Sequence, residues 1–91
     1  MTKAEERRRR ILTFFEWLKE QDTQASRDSL LGAYSFKTGI AVRTIREYYD
    51  VLESVKAIQM ERVEKQSTRR DGSTYSYYRW KRVLSPGVIA D

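Results

Sequence analysis

The chain has 91 residues, 40% hydrophobic and 34% charged, with a net charge of +5, which fits one domain with one modest core. It has no cysteine and no histidine, which excludes disulfides, thiolate chemistry, the usual zinc sites and histidine-dependent catalysis. Its four glycines are isolated and its carboxylates are scattered among Lys and Arg. We therefore expect a protein without a cofactor that is not an enzyme.

The first predicted element is an amphipathic helix over residues 4–21. Its apolar stripe, at helical spacing, consists of Ile11, Phe14, Phe15 and Leu18. The preceding segment EERRRR has no apolar face, so we expect it to project from the domain or to fray. Its arginines, 7–10, act either as a solubilising helix end or as a clamp on a phosphate backbone. Trp17 is expected in the core or in an interface.

A second, shorter helix is predicted over RDSLLGAYSFK, with Asp22 or Ser26 as its cap. Gly32 within it costs about 1 kcal/mol relative to alanine, which predicts close approach of another helix. Gly39 suits the left-handed position that ends a helix.

A third helix is predicted over residues 41–54. Its inner face consists of Ala41, Val42, Ile45, Tyr48, Tyr49 and Leu52. Arg43, Glu47 and Asp50 lie opposite, and Thr44 and Arg46 lie on the two shoulders. The outer side is either a solvated exterior or a surface that reads a ligand.

The pattern then changes to that of a β-hairpin. AIQMERV alternates, with Ile58, Met60 and Arg62 on one face, and TYSYYRW is rich in β-formers. Between them EKQSTRRDGST is polar and contains the turn signal Asp71-Gly72, which predicts a long basic tip. The tyrosines of this hairpin pack across strands or stack on bases, whereas Trp80, like Trp17, is expected in the core or in an interface. We expect a domain of residues 1–82 followed by a tail of residues 83–91, which is either flexible or ordered.

This order of elements resembles the winged helix-turn-helix family over roughly residues 11–80, an α+β fold of three helices followed by a two-stranded wing. The third helix fits the pattern x-x-T-h-x-x-h-h-x-x-L through Thr44, Ile45, Tyr48, Tyr49 and Leu52. Gly39 fits the turn, and Ala57-Ile58 fits the start of the wing. Two positions depart from the pattern: Ala41 replaces a capping Ser, and Lys56 stands where many members have Gly.

The resemblance implies that the third helix enters the major groove of double-stranded DNA and that the wing contacts the backbone or minor groove. Residues 62–82 carry seven basic and two acidic side chains, an excess of five that equals the net charge of the whole chain. We expect a sequence-specific DNA-binding protein, a small transcriptional regulator without an evident small-molecule effector. The candidate DNA-binding residues are Lys37, Thr38, Arg43, Thr44, Arg46, Glu47, Lys65, Arg69, Arg70, Ser73 and Thr74.

Two other functions stay open. The acids Glu47, Asp50 and Glu53 suit a protein-interaction module, and the tyrosine-rich hairpin suits RNA or single-stranded DNA. Binding to palindromic DNA favours a homodimer, for which the first helix and the tail offer surfaces. No run of about 18 apolar residues and no apolar leader segment is present. We therefore expect no membrane association and a cytoplasmic location, nucleoid-associated if the source is prokaryotic.

Overall fold

A computed structural model describes residues 2–88 and shows three helices followed by a two-stranded antiparallel hairpin. The predicted α+β fold class is confirmed, and the arrangement is consistent with a winged-helix layout. The elements are α1 (Lys3–Leu18), α2 (Arg27–Thr38), α3 (Val42–Ser54), β1 (Ile58–Thr68), β2 (Thr74–Leu84) and a 3₁₀ turn (Pro86–Val88).

The core lies between the three helices and the base of the hairpin. Its centre is aromatic: the ring of Phe14 lies 4.9 Å from Tyr34 and 6.5 Å from Tyr48. The buried side chains are Phe14, Phe15, Leu18, Leu30, Leu31, Tyr34, Ile45, Tyr48, Tyr49, Leu52, Ala57 and Ile58. The predicted stripes of α1 and α3 are therefore confirmed, except that Ala41 and Val42 are exposed, because α3 begins beyond the edge of the core.

The arginine-rich start of α1 is a regular part of that helix. Thr2 caps it by accepting a 3.1 Å hydrogen bond from the Glu5 amide. Arg7–Arg10 are all exposed. At its other end the helix stops at Leu18, three residues earlier than predicted, because Glu20 and Gln21 bond three residues back in a tighter turn.

Ser26 is the cap of α2, and its hydroxyl accepts from the Ser29 amide at 3.1 Å. Asp22 instead accepts from the Gln24 amide in the preceding loop. Gly39 has the predicted left-handed conformation, with φ of 79°. The prediction for Gly32 is wrong: a Cβ placed there would meet no atom of another element within 4 Å, so no helix in the described part of the chain packs closely on it.

Lys56 terminates α3 in a strained conformation, with φ of 64°. The Ala57 amide bonds to the Leu52 carbonyl at 2.9 Å, and the Lys56 amide bonds to the Glu53 carbonyl at 3.0 Å. This pair of bonds forms a Schellman motif, whose left-handed residue is ordinarily Gly. Here a lysine adopts the left-handed conformation that this motif ordinarily gives to glycine. At the start of α3, Ala41 supplies no side-chain cap.

The hairpin is longer and its tip shorter than predicted. Eleven pairs join the strands without interruption, from Ile58 opposite Leu84 to Thr68 opposite Thr74. The tip is therefore only residues 69–73, because the polar residues before it pair as strand. Strands of this length reach roughly 35 Å. The hairpin contributes to a radius of gyration of 16.7 Å, against about 12 Å for a compact chain of this size.

The predicted boundary after residue 82 falls inside β2. That strand continues to Leu84, and the Ser85 amide bonds to the Ala57 carbonyl at 2.8 Å. The start of the expected tail is thus part of the hairpin base, because it completes the pairing with Ile58. Residues 89–91 lie outside the described part of the chain.

Candidate nucleic-acid interface

The outward side of α3 carries free polar side chains over its first two turns. Arg43, Arg46 and Glu47 are exposed. Within residues 2–88 their side chains make no hydrogen bond, ion pair or ring contact. The opposite side is fixed in the core by Ile45 and Tyr49. The helix therefore presents these three groups from a rigid support, and their bonding capacity is unused.

Asp50 and Thr44 differ from those three. The Asp50 carboxylate lies 3.7 Å from the Arg27 guanidinium, so its charge is partly neutralised within the molecule. Thr44 is half-buried. Of the predicted outer surface of α3, the exposed part without a partner is thus confined to the beginning of the helix.

Arg82 anchors the hairpin to the helices. Its side chain is 5% exposed, and its Nε donates to the Tyr49 hydroxyl at 3.0 Å. Its Nη2 donates to the Ala25 carbonyl at 2.8 Å, and its backbone amide bonds to Thr23 at 2.8 Å. Arg82 is one of the seven basic residues counted in the wing segment, but it is buried and does not belong to the exposed cations of the wing. The burial could not be read from the sequence because its partners are distant along the chain.

The Arg82 contact determines which flank of α3 faces the hairpin base. Tyr49 receives the Arg82 bond, and residues three apart on a helix lie on neighbouring positions of one flank. Arg46 therefore lies on the same flank as Tyr49, one turn before it. Arg43 precedes Arg46 by one further turn. Arg43 and Arg46 therefore lie on the N-terminal side of the point where the hairpin attaches to α3.

The two faces of the hairpin have different chemistry. Because side chains alternate along a strand, the register defines a cationic face and an aromatic face. We call cationic face the side that carries Glu61, Val63, Lys65, Tyr77, Arg79 and Lys81. We call aromatic face the side that carries Met60, Arg62, Glu64, Tyr78 and Trp80.

Lys65, Arg79 and Lys81 surround the half-buried Val63 on the cationic face. Lys65 and Lys81 have no ion-pair partner in the described residues, and Arg79 lies 5.5 Å from the Tyr77 ring centre. The face also carries one carboxylate, that of Glu61 opposite Lys81, but no ion pair joins the two in the described residues. Cations therefore outnumber anions on these adjacent rungs, which suits a phosphate backbone.

The tip of the hairpin is a hydrogen-bonded turn. The Asp71 carboxylate accepts from the Ser73 amide at 2.9 Å and from its hydroxyl at 2.6 Å. These bonds hold the pKa of Asp71 below its ordinary value. Gly72 takes φ of 88°, and the Arg69 amide bonds to Ser73. Arg70 is exposed and has no partner among the described residues, whereas Arg69 lies 5.0 Å from the Tyr75 ring centre.

These contacts show which of the predicted polar side chains are already hydrogen-bonded within the protein and which are left to bind a ligand. The Ser73 hydroxyl is already used in the turn. The Thr38 hydroxyl donates to the Tyr34 carbonyl at 2.8 Å and accepts from the Ile40 amide at 3.2 Å, so it shapes the turn between α2 and α3. Lys37 and Thr74 are exposed, and their side chains make no such bond within residues 2–88.

The structure also shows a groove that the sequence did not indicate. It lies between α1 and α3 and has a volume of about 500 Å³. Ile11, Leu12, Val51 and Val55 make it apolar, and Arg7 lies among its lining residues. Only the packing of the two helices creates it, so no local pattern could reveal it.

Neither a metal site nor a membrane span is found in residues 2–88. No cluster of three or more potential metal-ligating side chains occurs there. No helix in that range is long and apolar enough to cross a bilayer. Comparison of the chain with protein-family models, curated proteins and solved structures finds no match.

Proposed function

We propose that the protein binds double-stranded DNA sequence-specifically, as a small transcriptional regulator, with the start of α3 in the major groove and the hairpin on the backbone or in the minor groove. The observation that carries the proposal is the free, exposed set Arg43, Arg46 and Glu47 on a helix whose other side is immobilised in the core.

An α-helix fits the major groove of B-DNA, and these side-chain types match its base edges. Arginine can make two parallel hydrogen bonds to guanine, and glutamate can accept from the cytosine amino group. Arg43, Arg46 and Glu47 begin the helix, as docking by a recognition helix requires. Their lack of intramolecular partners means that binding DNA breaks no existing bond.

The cationic face supplies the non-specific part of the binding. Lys65, Arg79 and Lys81 lie on neighbouring rungs, and Arg70 is exposed at the tip. Contacts of this kind fix position and give affinity that depends on salt, whereas base contacts give specificity. Arg82 links this surface rigidly to α3.

The rival function as a protein-interaction module has less support. It rested on three acids along α3, of which Asp50 is engaged by Arg27. Glu47 lies beside two free arginines rather than in an acidic patch. The exposed start of α3 is therefore cationic on balance, as a surface for a polyanion should be.

Selection of bound duplexes from a random pool tests the proposal. Enrichment of a defined motif by the wild-type chain, lost in an Arg43→Ala/Arg46→Ala variant that still folds, is the expected result. Recovery of a pool as random as the input would refute sequence-specific binding. A wild-type motif retained by the variant would refute the role of α3.

A further inference from the structure

The aromatic face of the hairpin is left uncovered. Trp80 is 58% exposed, Tyr78 is 56% exposed and Met60 is 46% exposed. Nearer the helices the same side of the ribbon is covered, since Ile58 and Arg82 are buried against the body. Beyond that point three large side chains stand in solvent on one face, whereas the cationic face half-covers its own Val63 and Tyr77.

The charges on the aromatic face are balanced. Arg62 and Glu64 are two residues apart on β1, so they point to the same side. Neither has an ion-pair partner in the described residues. The guanidinium carbon of Arg62 lies 4.4 Å from the centre of the Tyr78 ring, a cation–π contact that keeps the cation on this face. A polyanion would prefer the cationic face, so the neutral aromatic face suits a protein surface.

We propose that the aromatic face is a homodimer interface and that its occupant is the same face of a second copy. A two-fold axis between the stacked hairpins, at the level of Val63, brings Arg62 over Glu64 of the partner subunit. The same axis brings Trp80 over Tyr78 of the partner subunit, because these residues are cross-strand partners of Arg62 and Glu64. Each contact then occurs twice, as a two-fold interface requires.

This pairing offsets the electrostatic repulsion that opposes self-association. A chain with a net charge of +5 repels its own copies, but here each cation meets an anion. The cationic faces point outward on both sides of the stack, where Lys65, Arg79 and Lys81 remain available. Because the two-fold axis makes the two hairpins run in opposite directions, each hairpin tip points toward the helical body of the other copy.

The interface is small. A large aromatic side chain buries about 150–250 Å² when fully covered, and Trp80 and Tyr78 each have roughly half of their surface to contribute. The three side chains thus offer a few hundred Å² per copy, below the ~800 Å² per partner of a standard interface. The dimer therefore dissociates on dilution and is populated at high protein concentration.

Charge reversal combined with sedimentation equilibrium tests the proposal without DNA. Across a concentration series, wild-type chains should show a reversible monomer–dimer equilibrium. Arg62→Glu and Glu64→Arg should each weaken it at least about tenfold, since each opposes like charges twice. The double variant should restore it because the pairs are re-formed with reversed sign.

Two matched variants provide the controls. Lys65→Glu changes the net charge by the same amount as Arg62→Glu, but it does so on the cationic face. It should therefore leave dimerisation intact or slightly strengthened. Leu12→Glu places a charge in the groove between α1 and α3 and should also leave it intact. Circular dichroism confirms that each exposed-site variant folds.

A protein that stays monomeric at every concentration would overturn the inference. So would a dimer that tolerates Arg62→Glu but is lost with Lys65→Glu or with Leu12→Glu. In the last case the groove, not the hairpin, would hold the second copy.

Discussion

The Nε of Arg82 donates a 3.0 Å hydrogen bond to the hydroxyl of Tyr49, which joins the base of the hairpin to α3 inside the protein. The guanidinium has no carboxylate partner there. It is satisfied by this hydroxyl and by the Ala25 carbonyl, and its central carbon lies 5.7 Å from the Tyr49 ring centre. One buried cation thus orients the two surfaces that we assign to DNA.

Tyr49→Phe should lower the free energy of unfolding by about 2 kcal/mol, because it leaves a buried charged donor without its acceptor. Chemical denaturation measures the effect. Tyr48→Phe is the matched control, since Tyr48 is equally buried on the same helix and makes no side-chain hydrogen bond in the described residues. Equal losses for the two variants would show that the Arg82 bond contributes nothing.

Arg43→Ala and Arg46→Ala should each weaken binding to the selected duplex by about 1–3 kcal/mol at the contacted base pair. Binding to a scrambled duplex should fall much less, so the ratio of the two affinities shrinks. Arg7→Ala removes the same charge from the exposed start of α1 and should leave that ratio unchanged. Competition titrations at fixed salt give both numbers, and an unaltered ratio in the α3 variants would exclude base contacts there.

The cationic face should determine the salt dependence of binding. Each of Lys65→Gln, Arg79→Gln and Lys81→Gln should reduce the slope of log affinity against log salt by about 1, since each removes one phosphate contact. Sequence preference should persist. Glu61→Gln is a control of opposite sign, because it removes an anion from the same side of β1. It removes no phosphate contact, so it should not reduce the slope. Unchanged slopes in all three lysine and arginine variants would place the phosphate backbone elsewhere.

Lys56→Gly should stabilise the protein by about 1 kcal/mol, because a left-handed residue with a Cβ costs about 1–2 kcal/mol and glycine loses part of that gain as chain entropy. Lys56→Ala keeps the Cβ and should change stability little. Thermal unfolding compares them. A destabilised glycine variant would mean that the lysine makes a compensating contribution.

The structural features that depend on local periodicity were predicted correctly from the sequence. The spacing of Ile45, Tyr48, Tyr49 and Leu52 defined the inner side of α3, and Gly39 marked the end of α2. Both are confirmed. These features follow from neighbouring residues alone, so no tertiary information was needed.

The errors arose where distant contacts or empty space decide the structure. Gly32 was taken as a packing site, yet a Cβ at this position would meet no neighbouring atom within 4 Å among residues 2–88. The polar residues before Thr68 were assigned to the tip, because an exposed ribbon has no buried face to impose alternation. Arg82 was counted as surface charge, although its partners are 33 and 57 residues away.

In the proposed complex, the start of α3 and the cationic face of the hairpin engage one duplex together. Amide chemical-shift mapping during titration with the selected duplex tests this most directly. We predict that the amides of residues 42–47 and those around Lys65 and Arg79 shift in parallel and saturate at the same ratio of protein to DNA. Shifts confined to only one of the two surfaces, or saturating at different ratios, would contradict it.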